Sequence, residues 1–212
     1  MKRILLSFVV LSMGLMMASA QVVVQKKNKA YEIDIVFDSY ADAPEINQRL
    51  KTIAQKLESG LTENASDNDV DDMFGPLTVQ ASTNSFRTGR YLNVTVNGYE
   101  YGGGAHGIPI IVNMIYDTQK KQILEKNEVV DVTKERAINE LIRKYRDAGW
   151  WNECADESLF NPSTLEFVDE IMLTPKGVTF LYEVYNVGPY ACGELAVEIP
   201  YEVIRPYLLL DL

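Results

Sequence analysis

The groups most able to do chemistry are few. In 212 residues there is one imidazole, His106, and there are two thiols, Cys154 and Cys192. One histidine excludes His-His zinc motifs, and two cysteines exclude a Cys-rich metal module. His106 could act as a general base near neutral pH. That role needs a nucleophile beside it, and no Gly-x-Ser-x-Gly elbow is present. The favoured reading of His106 is structural: it hydrogen-bonds backbone groups within the tight turn Gly102-Gly103-Gly104-Ala105-His106-Gly107. The same glycines lack the closing Gly-Lys-Ser/Thr of a phosphate loop. They lead into a strand-like run at 108–112 and not into a helix N-terminus. They read as a corner where φ is positive or backbones approach closely.

The acids offer less. Asp67, Asp69 and Asp71 alternate like the opening of an EF-hand loop, but Asp72 then replaces the needed glycine and Thr78 the needed glutamate. A solvated acidic loop is expected there, with no metal ligand set and no cofactor. A carboxylate pair for glycoside hydrolysis is available among 30 acids, yet spacing selects none. Cys154 and Cys192 either form a disulfide or remain two separately buried thiols.

Charge carries more information. Thirty acids against 20 bases give a net charge of −10, which argues against a nucleic-acid partner. Residues 61–86 hold five acids and no base; residues 147–204 hold eleven acids and one base, Lys176. Such asymmetry steers a cationic partner, or serves solubility alone.

The elements that must position these groups follow from periodicity. Residues 30–37 alternate as a strand. A helix follows, with Asp42 as N-cap, Glu45 closing a capping box, and Ile46, Leu50, Ile53 and Leu57 along one face. Gly60 is its expected stop, and an exposed loop is expected over 61–72. Strands are predicted at 77–86, 91–101 and 108–117, then a helix capped by Thr133 and ended by Gly149. Residues 150–162 read as a structured loop. Strands at 167–173, 178–187 and 194–199 precede a short terminal helix over 201–209, which Pro206 weakens.

The first twenty residues stand apart. Met1-Lys2-Arg3 is basic, residues 4–17 are uncharged and apolar, and Ala18-Ser19-Ala20 has small residues at −3 and −1. This predicts a signal peptide cleaved after Ala20, in an exported, periplasmic or extracellular protein. No later stretch reaches ~18 uncharged apolar residues, so no stable membrane insertion is expected. Without Lys2 and Arg3, eighteen bases face 30 acids, and the mature charge is −12.

Several blocks resemble one family. Tyr101-Gly-Gly-Gly-Ala-His106-Gly107, Asn113-x-x-Tyr116-Asp117, Leu173-Thr-Pro-Lys-Gly177-Val-Thr-Phe180, Tyr185-Asn-Val-Gly-Pro-Tyr190-Ala-Cys-Gly193 and Val197-Glu-Ile-Pro-Tyr201 occur in order over 100–209. They resemble the RsiV-like extracytoplasmic domain. The preceding part, with Pro44-Glu-Ile46-Asn47 opening a helix, looks like the PdaC-like domain that commonly precedes it. That family includes an anti-sigma factor whose outer domain binds lysozyme, and a peptidoglycan deacetylase that carries this region beside a separate catalytic domain. The resemblance implies no catalytic residue here.

The combined expectation is an α+β fold: a mostly antiparallel sheet with two main helices packed on it, in two closely packed subdomains. Residues 1–20 are the signal peptide, 21–100 the PdaC-like part and 101–212 the RsiV-like part. The expected function is non-catalytic binding in the cell envelope, of a basic protein such as lysozyme or of peptidoglycan. Tyr101, His106, Trp150 and Trp151 are the candidate contact residues, because aromatic side chains anchor a desolvated contact better than carboxylates do. The alternative is a cell-wall-directed hydrolase using His106 or a carboxylate pair.

Overall fold

The computed structural model describes residues 21–67, 75–146, 154, 167–168 and 170–212. Residues 1–20, the expected signal peptide, and Asp69, Asp71, Gly149, Trp150 and Trp151 lie outside the described residues. Strands β1 (Val22–Lys27), β2 (Tyr31–Phe37), β3 (Leu77–Thr88), β4 (Tyr91–Tyr101), β5 (Ile108–Asp117) and β6 (Gln122–Ile123) form one sheet in sequence order. All its pairings are antiparallel except β2 with β3, which run parallel. Helix α1 (Pro44–Asp67) makes that parallel crossover. A second antiparallel sheet holds β7 (Glu170–Leu173), β8 (Gly177–Tyr182) and β9 (Leu195–Pro200). Helices α2 (Lys126–Val129), α3 (Glu135–Tyr145) and α4 (Tyr201–Ile204) accompany the C-terminal part. The expected α+β, mostly antiparallel architecture is what the chain adopts. Among the described residues no helix is long and apolar enough to cross a membrane.

The alternation of side chains explains two cores. Ile33, Ile35 and Phe37 of β2, Val79 of β3, and Val94 and Val96 of β4 share one face of the large sheet. Ile46, Leu50 and Ile53 of α1 recur at helical spacing and bury against that face. Each such side chain contributes about 1.5–3 kcal/mol by leaving water. On the other face, Tyr91 and Ile115 join Ile138 and Ile142 of α3 and Phe180 of β8 in a second core. β4 is buried on both faces from Tyr91 to Val96. Its inward polar residues bridge the sheets. Asn93 accepts from Leu173 N at 2.8 Å, and its amide donates to Asn113 Oδ1 at 2.9 Å. Asn113 N in turn donates to Glu170 Oε2 at 2.7 Å. Position 100, where the two parts of the chain were divided, falls at the end of β4 in the continuous sheet.

Five local expectations are corrected. α1 runs through Gly60 to Asp67, because Leu61 continues the buried stripe and is fully buried. That burial exceeds the ~1 kcal/mol cost of an interior glycine. Asp42 and Glu45 make no capping box. Asp42 pairs with Arg87 at 2.8 Å, and Glu45 accepts from Ile123 N at 2.8 Å, tying the helix start to β3 and β6. Asp131, not Thr133, caps the second main helix region: it accepts from Thr133 N at 3.0 Å at the head of a 3-10 turn before α3. β8 stops at Tyr182, so residues 183–187 form a turn. The terminal helix reduces to α4 and a 3-10 turn Arg205–Tyr207 holding Pro206. β1 and β6 were not anticipated.

Candidate functional site

The site begins at the β4–β5 hairpin. Gly107 lies so close to β4 that a Cβ there would meet the Glu100 carbonyl oxygen at 2.3 Å and the Tyr99 ring at 2.6 Å. Only glycine allows its N–H to reach Tyr99 Oη, at 2.7 Å. Gly103 and Gly104 have φ of 96° and 90°, and Tyr101 Oη donates to the Gly104 carbonyl at 2.8 Å. The expected corner is therefore built by glycine and stitched by two tyrosine hydroxyls.

A second loop, from the end of β8 to β9, comes to meet it. Tyr185 has φ of 73°, a left-handed conformation that costs a bulky residue about 1–3 kcal/mol. Its side chain is presented to solvent, 60% exposed. Pro189 leads into a 3-10 turn, Tyr190–Cys192. Cys192 is joined to Cys154 in a disulfide with Cα atoms 5.7 Å apart.

The two loops converge on His106. Its ring stacks on Tyr190, with centroids 3.7 Å apart and planes at 16°. His106 Nδ1 donates to the Gly107 carbonyl at 3.1 Å, which leaves Nε2 to accept from Tyr185 Oη at 3.3 Å. Tyr99 and Tyr190 hydroxyls lie 3.4 Å apart. The bond from Tyr99, then burial, then the neighbouring Tyr99 and Tyr185 phenols push the Tyr190 hydroxyl up to about 12.

Beside these rings lies a cleft of about 460 Å³, lined by Glu100, Glu183, His106, Asn64, Ile108 and Pro109 among others. Burial holds the Glu100 carboxyl above the usual carboxylate range. Burial, then the charge of Glu183, does the same for Glu194 next to the second loop. Among the described residues no serine, threonine or thiol lines the cleft. Six large apolar side chains are exposed among the described residues; one of them, Ile108, lines the cleft, and two more, Tyr185 and Tyr99, bond to His106 and Gly107 in its lining. A second recess of about 440 Å³ on the face of β2–β4 has Asp34 as its only charged side chain among the described residues.

His106 and Tyr101 thus fall in one neighbourhood, His106 in the ring stack and Tyr101 in the supporting turn. Trp150 and Trp151 lie outside the described residues. Tyr99, Glu100, Glu183, Tyr185 and Tyr190 were not among the candidate contact residues, although Tyr185 and Tyr190 stand in the block at 185–193 that carries the family resemblance. Their signal was faint: two segments that break strand patterns with glycine or proline yet keep their tyrosines. Asp117, from the block at 113–117, serves the fold. It is fully buried, 3.1 Å from Arg90 Nε, and accepts from Gln119 N at 2.9 Å.

Residues 117–202 match the family model described as "Protein of unknown function (DUF3298)". No curated protein matches the chain. Two solved structures are similar in fold. One is a DUF3298 family protein from Pseudomonas aeruginosa PAO1, with TM-score 0.61 and 16% identity, over 89% of this chain and 93% of that one. The other is a DUF3298 family member from Bacteroides fragilis NCTC 9343, with TM-score 0.58 and 16% identity, over 90% of this chain and 94% of that one.

Proposed function

We propose that this is an exported, non-catalytic binding protein of the cell envelope that captures a strongly basic protein through the surface around His106. A lysozyme-like muramidase is the leading candidate. The observation that carries the reading is the gathering of exposed Tyr99, Ile108 and Tyr185 around the His106–Tyr190 stack, beside carboxylates. Tyrosines of this kind supply the desolvated centre of an interface, while acids at the rim raise the association rate and exclude wrong partners. The mature charge of −12 and the Cys154–Cys192 disulfide support a basic partner and an oxidising compartment. Intact mass of the exported protein should give a chain starting at Gln21.

Calorimetry with lysozyme at ~150 mM salt, where the Debye length is about 8 Å, should give saturable binding with defined stoichiometry. Cytochrome c, basic but of unrelated fold, should bind far more weakly. Equal affinity for both, or complete loss at that salt, would reduce the interaction to ion exchange. A hydrolase reading has one observation in its favour: Glu100, with its raised carboxyl, shares a cleft with Glu183. Release of soluble fragments from purified peptidoglycan, abolished by Glu100→Gln, would replace binding by catalysis.

A further inference from the structure

The cleft beside the stacked rings is lined by two carboxylates and, among the described residues, by no lysine or arginine. Glu100 comes from the end of β4 and Glu183 from the turn after β8, and both line the same recess. Among the described residues neither takes part in an ion pair. The remaining parts of the mature chain cannot supply the missing charge, because 68–74 and 147–166 contain no lysine or arginine. Asn64 brings the last described turn of α1 to the cleft, and the carbonyl end of a helix favours a cation. No three metal-ligating side chains gather among the described residues.

We propose that the recess receives an arginine side chain of the partner protein. This rests on the binding reading and names the contact it uses. The guanidinium meets the Glu100 and Glu183 carboxylates, and its plane lies against the exposed rings of Tyr185 and His106. Arginine fits better than lysine for three reasons. Its flat head stacks on aromatic faces, it is more weakly hydrated than an ammonium, and it can engage a carboxylate with two parallel hydrogen bonds. Ile108, 56% exposed at the cleft wall, covers the methylene stem. The guanidinium opposes the burial that holds the Glu100 carboxyl above the usual carboxylate range.

His106 provides the measurement, since a chain with one histidine has one imidazole signal. The mature protein is titrated with N-acetyl-arginine amide, and the imidazole resonances are followed by NMR. N-acetyl-citrulline amide, a neutral isostere, and N-acetyl-lysine amide are run in parallel. The arginine probe should shift the signal saturably, and lysine and citrulline should bind at least about tenfold more weakly. Glu183→Gln, an exposed change that leaves the fold intact, should weaken the arginine probe by at least about tenfold. It should weaken lysozyme in calorimetry as well. Equal response to citrulline, no response to arginine, or an unaltered Glu183→Gln titration would overturn the proposal. Saturable lysozyme binding that ignores Glu183→Gln would also overturn it while leaving the binding reading in place. Loss of lysozyme binding in the unmutated protein would remove the binding reading itself.

Discussion

His106 lies flat on Tyr190, with 3.7 Å between ring centroids, although the two belong to loops at opposite ends of the C-terminal half. The stack is stabilised by Tyr99, whose hydroxyl approaches that of Tyr190 at 3.4 Å. The bond from Tyr99 pushes the Tyr190 hydroxyl from its ordinary 10.0 up to about 12 in the folded chain. Between those values the unfolded state has lost a proton that the folded state keeps. The contribution of Tyr190 is thus complete below pH 10 and declines as pH rises towards 12. Spectrophotometric titration of the phenols should reveal a late class, and Tyr190→Phe should remove one group from it.

Two glycines should respond with opposite sign. A Cβ at Gly60 of α1 would meet nothing within 4 Å, so Gly60→Ala should raise stability by about 0.5–1 kcal/mol. Gly107→Ala drives a methyl into the Glu100 carbonyl, and should lower stability by about 2–3 kcal/mol while spreading the β4–β5 hairpin. Urea midpoints for both variants check the pair.

Asn93 is 3% exposed and holds Leu173 N. Asn93→Ala strands that buried donor between the sheets, and should cost about 2–3 kcal/mol. Hydrogen exchange at the Leu173 amide should accelerate more than at amides of β2, which lies remote from the bridge.

The disulfide closes a separation of 38 residues. Replacing both cysteines by serine should lower stability by roughly 4 kcal/mol, mostly by freeing the unfolded chain. The imidazole signal of His106 should broaden in the same variant, because Cys192 anchors the turn that carries Tyr190. Denaturation with and without reductant tests the first effect, and NMR the second.

Much of the scaffold was legible because it rests on period. β5 was bounded at 108–117 by the glycine turn before it and the polar turn after it, and the α1 face by spacings of four and three. Gly60 misled because a local stop signal was outweighed by burial of Leu61 one residue later. β1 was missed because its outward face, with Val23 and Gln25, carries no amphipathic contrast to its Val22 and Val24. The site was half legible. His106 and the glycine corner could be named, but the stacking partner could not. Tyr190 reaches His106 only after β8 ends early and Tyr185 takes a left-handed backbone, and neither event leaves a local mark in the residue types.

β4 is a wall common to both cores, with Leu92, Val94 and Val96 on one side and Tyr91 on the other. Neither half can melt and leave its neighbour intact, since the strand that would be lost supplies apolar surface to each. Heat should therefore open the molecule in one cooperative step, with calorimetric and van't Hoff enthalpies in agreement. An isolated C-terminal fragment beginning after residue 100 would lack that wall and stay unfolded.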